Sequence, residues 1–326
     1  MIISQTPLRI SFVGGGSDIK EYYSTSDGHV VSSTIDKYIY VIVKERYDND
    51  IYVSWSKKKE IVTDVECIEH DLVRESLIKV GIDCGIEITM LADIPSTGTG
   101  LGSSSSLTVG LLNVFYAYKG MQVTSKRLAE ESSEIEIDIL RKPIGKQDQY
   151  NAAYGGLSHY VFKANGKVEV CPIELNNNER LVLGSNLILH YTGVARDADD
   201  ILDDQTKNIK NNLNSINKMT EHANVLTHAL NKKQYDEIGS HINKNWLLKK
   251  GLSKKITTNL IDSMIKTSMT NGAFGCKILG AGGGGFLLSY VQREKQNQFR
   301  DSMNEYRELP FMLEPFGSRI IFNVKS

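Results

Sequence analysis

Between residues 98 and 112 the chain reads GTGLGSSSSLTVGLL, with glycine at Gly98, Gly100 and Gly102 and then serine at Ser103, Ser104, Ser105 and Ser106. Glycines let backbone N–H groups crowd around a ligand, and the partial positive charge of a following helix N-terminus favours an anion. Phosphate suits such a nest, and the residues from Gly98 through Leu101 to Ser105 are the candidates to hold it. The stretch is not a Walker A loop, which needs a lysine where this chain has serine. The hydroxyls can instead hydrogen-bond phosphate oxygens or ligate Mg²⁺.

Two further glycine clusters stand at other places. GAGGGG, residues 280–285, has G-x-G-x-x-G spacing, but the FLLSYV that follows reads as a strand, whereas a dinucleotide fingerprint must open a helix. A glycine loop between two strands marks the close approach of a ligand or of another backbone, and Gly282 and Gly283 are the candidates there. In PLRISFVGGGSD an alternating strand runs into Gly14, Gly15 and Gly16, then Ser17 and Asp18. Asp18 can bind sugar hydroxyls, or the segment is an ordinary turn.

The elements that must position these loops are mixed. IISQTPLRISFV, YIYVIVKERY, IYVSW and IEITML read as strands, with a helix in ECIEHDLVRESLIKVG. SSLTVGLLNVFYAYKG has helical length and an apolar face, and Thr124 can cap a second helix through Leu140. Asn165-Gly166 signals a hairpin, and LVLGSNLILHYT reads as another strand. From Asp197 to Trp246 apolar residues such as Ile201, Ile209, Leu213, Ile216, Met219 and Ala223 recur at helical spacing. A helix around 254–270, the third glycine segment, another helix and the strand RIIFNVK complete the chain. The expected fold is α+β in two packed domains, residues 1–180 and 181–326, with the site between them.

A net charge of −1, from 38 basic and 39 acidic residues, gives no field for nucleic acid or anionic lipid. A small-molecule partner is expected, with a homodimer left open. No segment approaches the roughly 20 apolar residues of a membrane span, and no signal peptide opens the chain, so the cytoplasm is the expected location. Cys67, Cys84, Cys171 and Cys276 show neither zinc nor disulfide spacing and read as buried free thiols.

In order and spacing, PLRISFVGGGSD, PSTGTGLGSSSS and KILGAGGGGFLL together resemble the three motifs of the GHMP kinase superfamily, the galactokinase, homoserine kinase and mevalonate kinase group. KPIGKQDQYNAAYGG and HYTGVARDADDIL look like the branch containing D-glycero-D-manno-heptose 7-phosphate kinase. The resemblance implies a two-domain kinase, an N-terminal mixed α/β domain and a C-terminal α+β domain, that uses ATP and Mg²⁺. The reaction it implies is phosphorylation of the anomeric hydroxyl of heptose 7-phosphate to the 1,7-bisphosphate, towards a nucleotide-activated heptose. The alternatives are an anomeric kinase of an unphosphorylated sugar such as L-fucose, and a sugar sensor that binds ATP without turnover.

By the same resemblance Asp148, in a polar loop after a helix, is the base, although it could instead cap the helix suggested by QYNAAY. Arg9 helps activate the acceptor hydroxyl, Ser104 and Glu136 hold magnesium, and Glu134 and Asp138 rival Glu136. Lys146 and Arg196 are the implied cations for the phosphate of the acceptor, and Thr192 and Gly193 line the same wall. This chain has GGGSD where many members read G-E-H-[ST]-D, which departs from a galactose-type pattern and leaves room at Gly14 to Gly16 for a bulkier sugar, with Ser17 and Asp18 as hydroxyl contacts. For adenine, Tyr52 and Trp55 offer stacking faces.

Overall fold

The computed structural model describes residues 1–56, 58–94, 98–195 and 198–324. Among these residues eleven strands form two sheets. The larger contains β1 (Ile2–Val13), β2 (Gly28–Glu45), β3 (Ile51–Trp55), β4 (Lys58–Val62), β5 (Ile86–Ala92), β6 (Leu157–Phe162) and β7 (Val168–Pro172). The smaller contains β8 (Leu187–Tyr191), β9 (Ala273–Ile278) and β10 (Phe286–Val291), and β11 (Arg319–Asn323) returns to the larger sheet. The order is β11-β1-β2-β5-β3-β4, with β6 on β2 and β7 on β6, while the small sheet runs β8-β10-β9. All pairings are antiparallel except β3 with β5. Thus the last strand, which the sequence places in the second half, pairs with the first.

β2 is 18 residues long because no glycine or proline interrupts it after Gly28, and it pairs β1 along one edge. Its other edge serves β6 over its first six residues and β5 over its last seven. The helix Ser103–Tyr118 packs on β1 and β2 and buries Val109, Leu111, Leu112, Val114 and Phe115. Packed against it or its neighbours are Ser125–Ser133, which runs on as a wider helical turn over Glu134–Ile139, and Gln147–Tyr154. In the second half Ile209–Asn231 and Glu237–Lys249 pair with each other, and the latter lies on β9. The periodic Ile201, Ile209, Ile216, Met219 and Ala223 are buried, and Leu213 is exposed.

The structure departs from the sequence reading in places. Only Leu187–Tyr191 of LVLGSNLILHYT is strand, because Asn177–Ser185 is a helix. Its start carries a capping box: the Asn176 side chain accepts from Glu179 N and the Glu179 carboxylate accepts from Asn176 N. The helix expected from 254 begins at Asn259, where the Thr258 hydroxyl accepts from Ile261 N. Of the four free cysteines only Cys276 is buried. Among the described residues no helix is long and apolar enough to cross a membrane.

Candidate active site

β1 carries Arg9 to the point where the large sheet meets the loop before the helix Ser103–Tyr118. The Arg9 backbone N–H donates to Leu101 O at 3.0 Å, which ties strand to loop. Its guanidinium then makes a two-pronged ion pair with Asp148, Nε to Oδ1 and Nη2 to Oδ2 at 2.7 Å each, while Nη1 donates to Gly100 O at 2.5 Å. The Arg9 side chain is 5% exposed and that of Asp148 22%. Asp148 therefore keeps a face toward the cleft while its partner fixes its orientation. Asp148 lies in the first turn of Gln147–Tyr154, not in a loop, with Lys146 at the cap position.

Gly102 starts the serine helix at φ +77°, and a Cβ there would stand 3.2 Å from Asp148 Oδ2 and 3.3 Å from Arg9 Cγ. A bare backbone at this residue is what lets the glycine loop and the ion pair share one corner. Gly98, Gly100, Gly102, Ser103, Ser104 and Ser105 all line the resulting cleft of about 220 Å³. Leu101 is fully buried and anchors the loop from behind.

Behind Ser104 stands Glu136, 0% exposed. Its Oε1 accepts from Ser104 Oγ at 2.7 Å and its Oε2 from Gln149 Nε2 at 2.5 Å. Burial raises this carboxyl above its usual range, opposed by hydrogen bonds from Ser105 and Ser104. The rival acids are separated by position: Glu134 is exposed and paired with Lys79 at 2.6 Å, and Asp138 is exposed.

On the other side of Asp148, Asp18 is 2% exposed and accepts from Gly16 N at 2.9 Å and from Gln147 N at 3.3 Å. Burial raises its carboxyl, and the charge of Asp148 adds to that rise. Gly15, Gly16 and Asp18 line the cleft. Gly14 and Ser17 instead shape the turn: a Cβ on Gly14 would overlap His29 O at 1.8 Å, and Ser17 Oγ donates to Gly14 O at 2.8 Å.

Several expected residues lie elsewhere. The Lys146 ammonium donates to Gly166 O at 3.0 Å and sits 5.4 Å from the centre of the Tyr23 ring, outside the cleft lining. Thr192 and Gly283 border a separate shallow cleft with Val194 and Asn259, and Gly193 is exposed. Gly282 and Gly283 meet backbone rather than the main cleft: a Cβ on Gly282 would be 2.8 Å from Ile256 O, and Gly283 N donates to that oxygen at 2.7 Å. Gly280 and Ala281 are the residues of that loop that reach the cleft. Arg196 lies outside the described residues.

Sequence reasoning missed Ser11, Gln147, Lys249 and Lys277, all in the cleft lining. Lys277 opens the third glycine segment, but it sits in a strand buried on both faces and alternation gives it no distinction. Lys249 ends a helix in a Lys-Lys pair of ordinary appearance.

Residues 65–156 match the GHMP kinases N terminal domain and residues 226–308 the GHMP kinases C terminal domain, together over half of the chain. The chain belongs to the GHMP kinase family. As a member it is a small-molecule kinase that takes its phosphate from ATP. A D-glycero-alpha-D-manno-heptose 7-phosphate kinase from Campylobacter jejuni is 28% identical over 308 residues, covering 90% of this chain and 91% of that protein. A mevalonate kinase from Thermococcus gammatolerans is 26% identical over 82% of this chain and 77% of its own. The crystal structure of a D-glycero-D-manno-heptose 1-phosphate kinase from Bacteroides thetaiotaomicron superposes over 100% of both chains with a TM-score of 0.83 at 23% identity, which speaks for the two-domain fold.

Proposed function

We propose that this kinase transfers the γ-phosphoryl group of ATP to the anomeric hydroxyl of D-glycero-D-manno-heptose 7-phosphate, giving the 1,7-bisphosphate. The observation that carries the reading is the Arg9-held carboxylate of Asp148, set between the glycine-serine loop and Asp18. Phosphoryl transfer asks a protein to align two oxygens and to neutralise charge. Asp148 takes the proton of the sugar hydroxyl as it attacks, and Arg9 keeps that carboxylate aimed. The backbone of Gly98 to Ser105, at the start of the serine helix, receives the phosphates. Asp18, its oxygens fixed by two backbone N–H groups, faces the sugar. The heptose is supported by the likeness to the Campylobacter jejuni protein, which carries that substrate in its name.

Ser104 and Glu136 fit a magnesium ion. Glu136 is a fully buried carboxylate whose direct partners, Ser104 and Gln149, are neutral, so a cation shared with the nucleotide would relieve its desolvation. Among the described residues no cluster of three or more His, Cys, Asp or Glu could cage a metal alone, in keeping with a cation held largely by phosphates. When bound, magnesium would supply charge neutralisation on the transferring phosphates.

Adenine fits a cleft of about 430 Å³ lined by Ile39, Trp55, His70, Met90, Ile94 and Leu107, the last on the serine helix itself. Trp55 and His70 meet edge to face at 5.0 Å in the wall of this cleft. Tyr52 carries Arg46 at 3.6 Å and Lys59 at 4.7 Å over its ring and is not in the lining of this cleft, whereas Trp55, with Lys58 at 5.9 Å, is, so Trp55 is the stacking candidate of the two.

A coupled ADP-release assay over heptose 7-phosphate, L-fucose, galactose, mannose and mevalonate tests the reading. Turnover strongest on heptose 7-phosphate is expected. Preference for fucose would move the assignment to an unphosphorylated sugar, and binding of ATP without turnover on any of them would make the protein a sensor.

A further inference from the structure

Lys249 and Lys277 project from the second half into the wall facing Arg9 and Asp18, and at 5% and 1% exposure they are among the most buried lysines of the chain. Lys277 Nζ donates to Ser11 O at 2.8 Å and Phe12 O at 3.1 Å, and Lys249 Nζ donates to Gly280 O. Among the described residues neither forms an ion pair. Of the carboxylates that line the cleft, Asp148 is engaged by Arg9 and Asp18 by the N–H groups of Gly16 and Gln147. Two buried ammonium groups beside a guanidinium are costly without an anion. Burial accordingly pushes both down, Lys249 to about 8.

Two neutral groups in the same corner also lack partners. Ser11 Oγ, in a residue 4% exposed, makes no hydrogen bond, and neither does Gln147 Oε1. Gly15 lies beside both: a Cβ there would be in ordinary van der Waals contact with Ser11 Oγ at 3.8 Å and Gln147 Nε2 at 3.7 Å, and it would clash with neither. A hydroxyl, the Nε2 end of the Gln147 amide and two lysine ammonium groups in the lining of one cleft are donors from which a phosphate monoester can accept.

Spacing along β1 says which phosphate. Arg9 and Ser11 are two residues apart on one strand face, about 7 Å at the usual rise. That is comparable to the span from an anomeric hydroxyl across a pyranose ring to a phosphate on its exocyclic chain. The nucleotide phosphates have their own proposed seat on the backbone of the glycine-serine loop.

We infer that Ser11, Gln147, Lys249 and Lys277 form the subsite that holds the phosphate already carried by the acceptor, and so select a phosphorylated over an unphosphorylated sugar. The inference rests on the heptose 7-phosphate reading and replaces Lys146, which the fold turns away, in that role.

The test uses the full chain with Lys249→Met, Lys277→Met and Ser11→Ala. KM for heptose 7-phosphate should rise about tenfold or more in each lysine variant and several-fold in Ser11→Ala, as expected for losing charge-assisted and neutral hydrogen bonds, with KM for ATP within about threefold. Ser11→Ala removes a hydroxyl without a partner, so its melting temperature should not fall; it keeps the test decisive if a buried lysine variant fails to fold. Thermal shift with inorganic phosphate and with glucose 6-phosphate adds a readout independent of turnover, and both shifts should shrink in the variants. A rise in KM for ATP with KM for the sugar phosphate unchanged would assign the lysines to the nucleotide and overturn the inference. Wild-type turnover of heptose 7-phosphate with unchanged KM in all variants would overturn it alone, leaving the substrate reading intact. Loss of the glucose 6-phosphate shift in the variants, in an enzyme that does not turn over heptose 7-phosphate, would retain the subsite and overturn the substrate instead.

Discussion

At the site, one ion pair decides how the carboxylate behaves. Asp148 held at both oxygens by Arg9 cannot swing, and it is the group nearest the junction of the two binding loops. Asp148→Asn keeps the shape and loses the base, so kcat should fall by on the order of 10² to 10⁴ while affinities for ATP and sugar phosphate stay within several-fold. Steady-state kinetics with isothermal titration measures both, and a variant retaining more than about a third of wild-type kcat would remove Asp148 from that role. Glu136→Gln keeps the Ser104 contact but not the charge, and the magnesium concentration for half-maximal rate should rise. Glu134→Gln, whose partner Lys79 is on the surface, serves as its control. The resemblance singled out Arg9, Asp148, Ser104 and Glu136, and the structure brings them into two contacting pairs, Arg9 with Asp148 and Ser104 with Glu136. Lys249 and Lys277 were not legible in the sequence, since their meaning comes from burial against β1, more than 230 residues away in the chain.

Among the elements, local chemistry was read most securely where it is self-contained. The Asn165-Gly166 hairpin forms as expected, with Gly166 at φ +82° and β6 antiparallel to β7. Asn177–Ser185 was misread because its apolar LVL run suggests a strand, while the Asn176–Glu179 box that starts a helix lies just before it. The β2–β6 pairing adds something no local pattern shows: His29 Nδ1 and His159 Nε2 meet at 3.0 Å, with the rings stacked. Such a contact holds one proton, not two. Burial lowers both histidines, His159 to about 4 with the His29 charge adding to the fall. The unfolded chain takes up protons near pH 6.5 while the folded chain resists down to about 4, so the unfolded state binds more protons in that window. Stability should therefore be level above pH 7 and decline as pH drops toward 4. His159→Gln should flatten the melting temperature between pH 7 and 5 relative to wild type; parallel curves would mean that the pair does not set the acid limb.

Across the whole molecule, the two halves touch at the candidate site. A Cβ on Gly100 would lie 2.5 Å from Leu279 O, one on Gly280 2.6 Å from Gly100 Cα, and one on Gly285 2.5 Å from Thr99 O. The glycines of 280–285 thus serve the approach of another backbone, one of the two roles the sequence offered: for Gly280 and Gly285 that backbone is the glycine-serine loop, and for Gly282 and Gly284 it is Ile256 and Val194. Gly280 has φ +66°, so Gly280→Ala adds left-handed strain of about 1–2 kcal/mol and also pushes the loops apart. Gly81 separates the two costs: it caps the helix Asp71–Val80 at φ +73° with nothing within 4 Å of an added Cβ. Gly81→Ala should lower the melting temperature slightly and leave kcat and both KM values unchanged. Gly280→Ala should lower it further, reduce the stabilisation given by ATP and cut kcat/KM for both substrates, because the loop that seats the phosphates takes its shape from the opposite half. Equal effects of the two substitutions on catalysis would show that the loops are shaped independently, and the contact between halves would then be packing alone.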